Sequence, residues 1–578
     1  MSEVITKNLD LWTSALFEKA DGGRGGNGRL EVYGIKKLRE LILGSALRGL
    51  FENENESLPE SIEQDIANAK DAYYKSIGKK SREYAFGPPL LAEFKLPASW
   101  KWKRVGDLCD LQTGATPSTN KPEYFGGDIR WLVSGDINQR VIEDCEGRIT
   151  QSGLENSNCK VLPPKTVLIA LNGQGKTRAS VALLKVPAAC NQSLVGMIPF
   201  DATILDPMFL LLSLKYRYFE IRDITGQDQR RGLNMGLVAE LSVPLPPLAE
   251  QRRIVAKVDE LMALCDQLEQ QQTHSIEAHQ TLVETLLATL TRAASPQELT
   301  EAWTRIAKNF DTVLTTEHSI VRLKQTILQL AVMGNLVRQD PNDEPASELS
   351  KRIVEEKAQL VEAGEIKKQK PLPGIDEAER PFELPMGWVW CRLQEIVYLL
   401  GDGLHGTPEY TPNERYYFVN GNNLSDGEIL IKPETKTVAR DQYDKYKKPL
   451  GENSVLVSIN GTLGNVAFNN NEEIILGKSA CFFNLAEEIN KRFIKVVIDA
   501  PSFTDYAYRN ATGTTIKNLG LNAMNSLPIA LPPKEEQHRI VAKVDELMAL
   551  CDGLKARIAD AQTTQIHLAD AIVEQTVS

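Results

Sequence analysis

The sequence predicts a mixed α/β (α+β) chain built twice on one plan, each half a globular domain of short strands followed by a long helix. Three observations predict it. Residues 250–266, EQRRIVAKVDELMALCD, return at 536–552 as EQHRIVAKVDELMALCD with a single difference, so the chain holds an internal duplication at an offset of 286. Weaker echoes keep nearly that offset: FKLPASWKW (94–102) with FELPMGWVW (382–390), and GIKKLRELILGSALRGL (34–50) with SIVRLKQTILQLAVMGN (319–335). Segments 96–245 and 384–531 are rich in short β-like runs and turn signals, among them VLIALNG, RWLVSGDI, RYYFVNGNN and VLVSINGTLGNVAF.

Taken in chain order, residues 1–95 form a helical region in which GGRGGNG (22–28) reads as a flexible linker. Its segment 34–50 shares the apolar positions Ile35/Ile320, Leu38/Leu323, Ile42/Ile327 and Ala46/Ala331 with the central region 295–383, which predicts a matching helix in each half. Globular domains follow at 96–245 and 384–531, and long helices at 246–294 and 532–578. Pro247 and Pro533 stand where those helices start, with carboxylates in the electropositive first turn. Apolar residues then step by four and three. The first seam runs Ile254, Val258, Leu261, Cys265, Leu268, breaks over QQQTHS and resumes at Leu282 and Leu286. The second runs Ile540, Val544, Leu547, Cys551, Leu554, Ile558, Ala561, Leu568 and Ile572. That spacing is a coiled-coil seam, about 40 residues or 60 Å per helix. Cys265 and Cys551 sit on it as small core residues.

Composition narrows the function classes. A chain of 578 residues with 42% hydrophobic and 25% charged residues is a multidomain globular protein. No apolar run is long enough to span a membrane, and MSEVITKNLD has no signal-peptide pattern, so a cytoplasmic location is expected. Eight cysteines without a C-x-x-C pair fit reduced thiols, and the six histidines show no ligand spacing, so no metal is expected. Net charge of −11 argues against coating nucleic acid through bulk charge. The two globular segments carry 17 basic against 15 acidic and 14 against 16 residues, so the excess acid lies in the helices and connectors.

VLIALNGQGKT (167–177) ends like a phosphate-binding loop, yet the first glycine of that motif would fall at Ala170. The following RASVALLKVP reads as a strand, and the second copy, VLVSINGTLGN, has no Gly-Lys-Thr. Both copies share Asn-Gly after a β-branched run, a hairpin signal. Their tips differ in hydrogen-bonding side chains: Asn172, Gln174, Lys176, Thr177 and Arg178 in one, Asn460, Thr462 and Asn465 in the other. Such amides, hydroxyls and cations suit base edges and phosphates. Candidate DNA-contacting residues therefore include these, with Thr116, Ser118 and Lys121; Gln227, Gln229, Arg230, Arg231 and Asn234; Lys517 and Asn518; and His405. Residues 432–448 add Lys432, Lys436, Arg440, Lys445, Lys447 and Lys448 around Tyr443 and Tyr446.

No catalytic constellation accompanies them. DPMF (206–209) lacks the second proline of an adenine methyltransferase motif, and Asp206 as helix cap with Pro207 behind it explains the residues. EFK (93–95) is only the last part of a nuclease constellation. A non-enzymatic coiled-coil scaffold binding protein partners is the alternative, since the globular segments are neutral.

The paired LPP…EQ-RIVAKVDELMALCD helices, LKQTILQLAVMGNLVRQDPNDEPASEL, FELPMGWVW and TGATPSTNKPEYFGGDIRWLVSGDI (113–137) resemble the DNA-specificity subunit of type I restriction–modification systems over almost the whole chain. The resemblance implies a pseudo-two-fold internal repeat with target-recognition domains at 96–245 and 384–531, each reading half of a bipartite DNA site, and an antiparallel coiled coil between them. It implies two modification and two restriction subunits as partners, which hold S-adenosylmethionine, ATP and Mg, and no catalytic residue or cofactor in this chain.

Overall fold

The computed structural model describes residues 2–19, 29–51, 57–91, 93–173, 177–224 and 232–577. Two compact units make up the chain: Met1–Ser275 with Gln562–Ser578, and Ile276–Ala561.

In the first unit every residue of Val167–Ala170 and Val181–Leu184 is buried, as short all-apolar runs between turns demand. They are the inner strands of a five-stranded sheet in spatial order 109–113, 194–199, 167–170, 181–184, 141–142. Neighbours are antiparallel except the last pair, where Val141 lies parallel to Leu183. A three-stranded sheet sets Ala189 parallel to Trp131 and Arg130 antiparallel to Arg148. Lys101–Arg104 pairs with Ser242–Leu245, so the beginning and end of the domain meet. Asp206 caps the helix Pro207–Tyr216, its Oδ1 accepting from Met208 N at 2.8 Å.

The second unit repeats this order. A four-stranded sheet runs 397–402, 480–485, 454–458, 466–468. A three-stranded one sets Phe418 parallel to Ile475 and Tyr416 antiparallel to Val438. Val389–Arg392 closes on Pro528–Leu531, and Asn490 caps Lys491–Asp499 as Asp206 caps its counterpart. The duplication thus reaches through domains whose sequences have diverged.

Two sequence expectations change. The Asn-Gly pairs do not form two-residue turns. Ala179 N donates to Ala170 O and Ala170 N to Ser180 O, both at 2.9 Å, and Gly464 N reaches back to Ser458 O at 2.9 Å around 459–463. Gly173 and Gly461 take φ of +145° and +80°, so these glycines turn wider loops. The helical seam also drifts from strict heptads. Leu282 and Leu568 are 46% and 51% exposed, whereas Val283 and Ala569 are fully buried. From Ile558 to Ala569 is an eleven-residue step, and 3.67 residues per turn keeps a straight helix on one face where sevens drift off it.

The long helices are Leu248–Arg292 and Lys534–Val577, the first unbroken through QQQTHS. In the first unit Ile254, Val258, Leu261, Cys265 and Leu268 share a core with Ala569, Ile572 and Val577, beside the helix Tyr33–Leu47. In the second unit Val283, Leu287 and Leu290 share one with Leu547, Cys551, Leu554 and Ile558, beside Glu317–Val332. The start of each long helix therefore lies with the end of the other, the antiparallel order. Ile540 and Val544 instead pack into the core of the second globular domain. Burial lifts the Cys265 thiol to about 11, as befits a core residue. All eight cysteines carry free thiols.

Candidate nucleic-acid interface

The geometry begins at the junction of each globular domain with its helix. Trp100 and Trp388, the first tryptophans of the FxLPxxWxW echo, donate from Nε1 to Glu250 at 2.9 Å and Glu536 at 3.0 Å. The adjacent glutamines are fully buried. Gln251 accepts from Asp206 N at 2.8 Å and donates to Pro246 O and Ile204 O. Gln537 accepts from Asn490 N at 2.9 Å and donates to Pro532 O. A Trp–Glu–Gln clasp thus fixes each domain to the first turn of its own helix. Asp259 and Asp545, at matching places on the helices, pair with Arg140 at 2.6 Å and Arg492 at 2.8 Å, both from the globular domains. Further along, Asp266 meets Arg39 and Asp552 meets Lys324.

On this frame the first domain stitches four polar segments together. A Cβ on Gly114 would stand 1.9 Å from Cys190 O, so only glycine fits there. Ala115 N donates to that oxygen, Leu171 N to Ser193 O, and Leu233 N to Leu171 O, at 2.8–3.0 Å. Thr116 Oγ1 donates to Gln192 Oε1 at 2.6 Å. Asn172 lies against Gly232, whose Cβ would collide with its Oδ1.

The second domain makes the same stitches with other side chains. Gly403 takes the place of Gly114, 2.1 Å from Gly477 O by the same measure. Ile459 N donates to Ser479 O at 2.9 Å, and Leu519 N to Ile459 O at 2.8 Å. Asn460 Nδ2 then donates to Asn518 Oδ1 at 3.3 Å, and Gly461 N to Lys517 O at 2.9 Å. Backbone bonds hold the loops while side chains vary, an arrangement suited to reading different base edges on a common support.

The DNA-specificity domain of type I restriction modification, as a sequence family, matches residues 97–278 and 385–561. The Escherichia coli type I restriction enzyme EcoEI and EcoAI specificity subunits are each 34% identical to this chain, over 100% of both partners in each alignment. The chain belongs to the type I restriction–modification specificity subunits. The Methanocaldococcus jannaschii MjaIX specificity subunit is 30% identical over 28% of this chain and 37% of its own. A specificity subunit carries two DNA-recognition domains and is not the catalytic component. No helix among the described residues is long and apolar enough to cross a membrane, and no group of three or more His, Cys, Asp or Glu among them could hold a metal ion.

In this specificity subunit the candidate residues fall into several groups. Asn172, Asn460, Thr462, Lys517 and Asn518 lie in the stitched loops, Thr462 exposed and Lys517 half-buried. Thr116, Ser118 and Lys121 are exposed along the adjoining loop. Lys121 donates to the Tyr124 hydroxyl at 3.0 Å, which raises its pKa. Gln174, Lys176, Gln229, Arg230 and Arg231 lie outside the described residues, as does Gln227.

Two residues are also engaged by the fold. Arg178 is 8% exposed, next to Ala179, whose N still donates to Ala170 O at 2.9 Å. Asn234 is exposed and caps the helix Met235–Ala239, its Oδ1 accepting from Leu237 N at 3.0 Å; the cap occupies the acceptor and not the Nδ2 donor.

His405 is exposed and pairs with the Asp402 carboxylate. Leu404, Tyr443 and Tyr446 pack against one small core of Tyr416, Val438 and Ile475, and Glu409 N donates to Gln442 of the helix Arg440–Tyr446 at 3.4 Å. There Lys445 lies 4.9 Å over Tyr446 and Lys447 5.5 Å over Tyr443. Tyr446 raises the Lys445 pKa and Asp444 that of Lys447, so both stay cationic. Lys436 is exposed nearby.

Sequence reasoning missed Gln192 and Ser479, which join loops distant in sequence, and the whole clasp. Trp100, Glu250 and Gln251 all lie in recognised repeats; nothing in a linear reading joins one repeat to another.

Proposed function

We propose that each globular domain, 96–245 and 384–531, reads one half of a bipartite DNA site through its stitched loops. The single observation that carries this is the pair of identical backbone stitches, Leu233 N to Leu171 O and Leu519 N to Ile459 O, beneath different polar side chains. One scaffold with two sets of tips is what two different half-sites need. The clasp and the long helices fix where each reader stands, and readers on one DNA face want centres about 10 bp apart.

We further infer that the helices recruit two copies of a modification subunit, along with restriction subunits. Internal contacts account for Glu250/Glu536, Gln251/Gln537, Asp259/Asp545 and Asp266/Asp552 within the repeated helix. They leave Leu264 and Leu550 unexplained, 42% and 59% exposed at the same position of the repeat. Identical exposed apolar side chains support an identical partner at each. Methyl transfer and ATP-driven cleavage then belong to the partners, with S-adenosylmethionine, ATP and Mg bound there.

The test is co-expression with the cognate modification subunit in a methylation-free host, followed by genome-wide N6-methyladenine sequencing. One bipartite motif, methylated on both strands across a fixed gap, is the expected result. A stable complex without methylation would favour the scaffold reading.

A further inference from the structure

The two units differ at one place that the DNA reading does not use. In the first unit Phe94 and Trp102 meet edge to face, centroids 4.8 Å apart. The Arg48 guanidinium stacks 4.2 Å over Phe94 and donates from Nη1 to the Tyr216 hydroxyl at 2.7 Å. The space above the aromatic pair is thereby filled from within the chain.

The second unit keeps the aromatic pair and loses the arginine. Phe382 and Trp390 stand 5.1 Å apart, but the repeat puts Met333 where Arg48 stands. Gly44, packed against the Tyr216 hydroxyl, becomes Gln329, whose Oε1 accepts from Ser502 N at 3.1 Å. A cavity of about 880 Å³ opens there, lined by Phe382, Trp390, Met333 and Ser502.

Its charged rim holds Glu284, Glu379 and Asp505 against Arg322 and Arg509. Glu379 is engaged by Arg392 at 2.8 Å and Glu284 by Arg322 at 3.4 Å. Asp505 forms no ion pair among the described residues.

The geometry points to this cavity as the seat for an arginine side chain of a docked partner protein. The guanidinium would lie on the Phe382–Trp390 pair, as Arg48 lies on Phe94, and meet the Asp505 carboxylate at the rim. A planar cation suits an aromatic face together with a carboxylate, and a weakly hydrated guanidinium loses less water there than an ammonium does. The internal copy supplies the template for the occupant, so the inference stands whether or not the loops read DNA.

The experiment uses the full chain labelled with 5-fluorotryptophan, the Trp390 fluorine resonance being assigned with Trp390→Phe. The probe is N-acetyl-arginine amide, and its neutral isostere N-acetyl-citrulline amide is the control. A saturable shift of the Trp390 resonance is expected from the arginine probe, half-complete at roughly 1–10 mM, with no shift from citrulline. Met333→Arg, which fills the seat from within, is expected to abolish the response. Met333→Gln, too short to reach the aromatic pair, keeps it, and Asp505→Asn weakens it several-fold. An unmoved resonance, an equal shift from citrulline, or a response surviving Met333→Arg in a folded protein would overturn the proposal. Tighter binding of free arginine than of the capped amide would also overturn it, in favour of a small metabolite.

Discussion

The first and second recognition domains agree where they meet their helices and disagree at their tips. Trp100–Glu250 and Trp388–Glu536 are the same bond at 2.9 and 3.0 Å. Asp206 N–Gln251 and Asn490 N–Gln537 repeat just as closely, at 2.8 and 2.9 Å. At the tips the stitches Leu233–Leu171 and Leu519–Ile459 persist, while the side chains around them share little. The difference separates two duties. Geometry that both readers must satisfy is held by buried, fully bonded groups, which tolerate no change. In the reading proposed above, sequence recognition is left to polar side chains on loops anchored through their backbones.

The largest expected effect breaks the shared part. Trp388→Ala removes a nearly buried ring and takes from Glu536 one of its two hydrogen bonds, and should cost about 3–5 kcal/mol in chemical denaturation. Trp100→Ala should match it; a large discrepancy would mean the two clasps are not equivalent. Next, Leu287→Ala should cost about 2–5 kcal/mol, against about 0.5 or less for Leu282→Ala. The reverse order would restore the strict heptad seam. Gln251→Ala and Gln537→Ala each leave buried backbone groups unpaired, at about 1–3 kcal/mol apiece.

Asn460→Ala tests the divergent part. It should weaken binding to the second half-site alone, by about 1–3 kcal/mol, in titrations of the assembled complex with each half-site altered in turn. Arg230→Ala with Arg231→Ala should weaken only the first, with a shallower salt dependence. Equal loss at both half-sites would end the assignment of one reader to each.

The smallest effect concerns pH. Burial raises the Glu536 pKa above its ordinary 4.5, despite hydrogen bonds from Trp388 and Gln339. A raised carboxylate favours the folded state when protonated. That contribution is complete below the ordinary value and lost as pH rises through the folded one. Glu536→Gln should therefore melt like the parent in acid and higher than the parent at neutral pH. A mutant that melts lower at neutral pH would show that the ionised carboxylate is needed for the clasp.

The repeat at an offset of 286, read with no structure, already determined the duplicated plan and the two long helices, and the residues DPMF the Asp206 cap. Those features are local or periodic, and a helix cap or an apolar seam is written within one or two turns of chain. The seam failed where small angular errors accumulate, at Leu282, Ala561 and Leu568, all exposed.

Only the tertiary structure decided which repeats touch which. Trp100 lies 150 residues from Glu250, and Asn460 lies 58 from Asn518; no periodicity spans such gaps. Whether a side chain faces out was equally hidden. Arg178 looked like a free donor in the sequence, yet it is 8% exposed, and the acceptor of Asn234 is taken up by a helix end. Burial and bonding are set by what the rest of the chain brings alongside, and that is fixed only when the chain has folded.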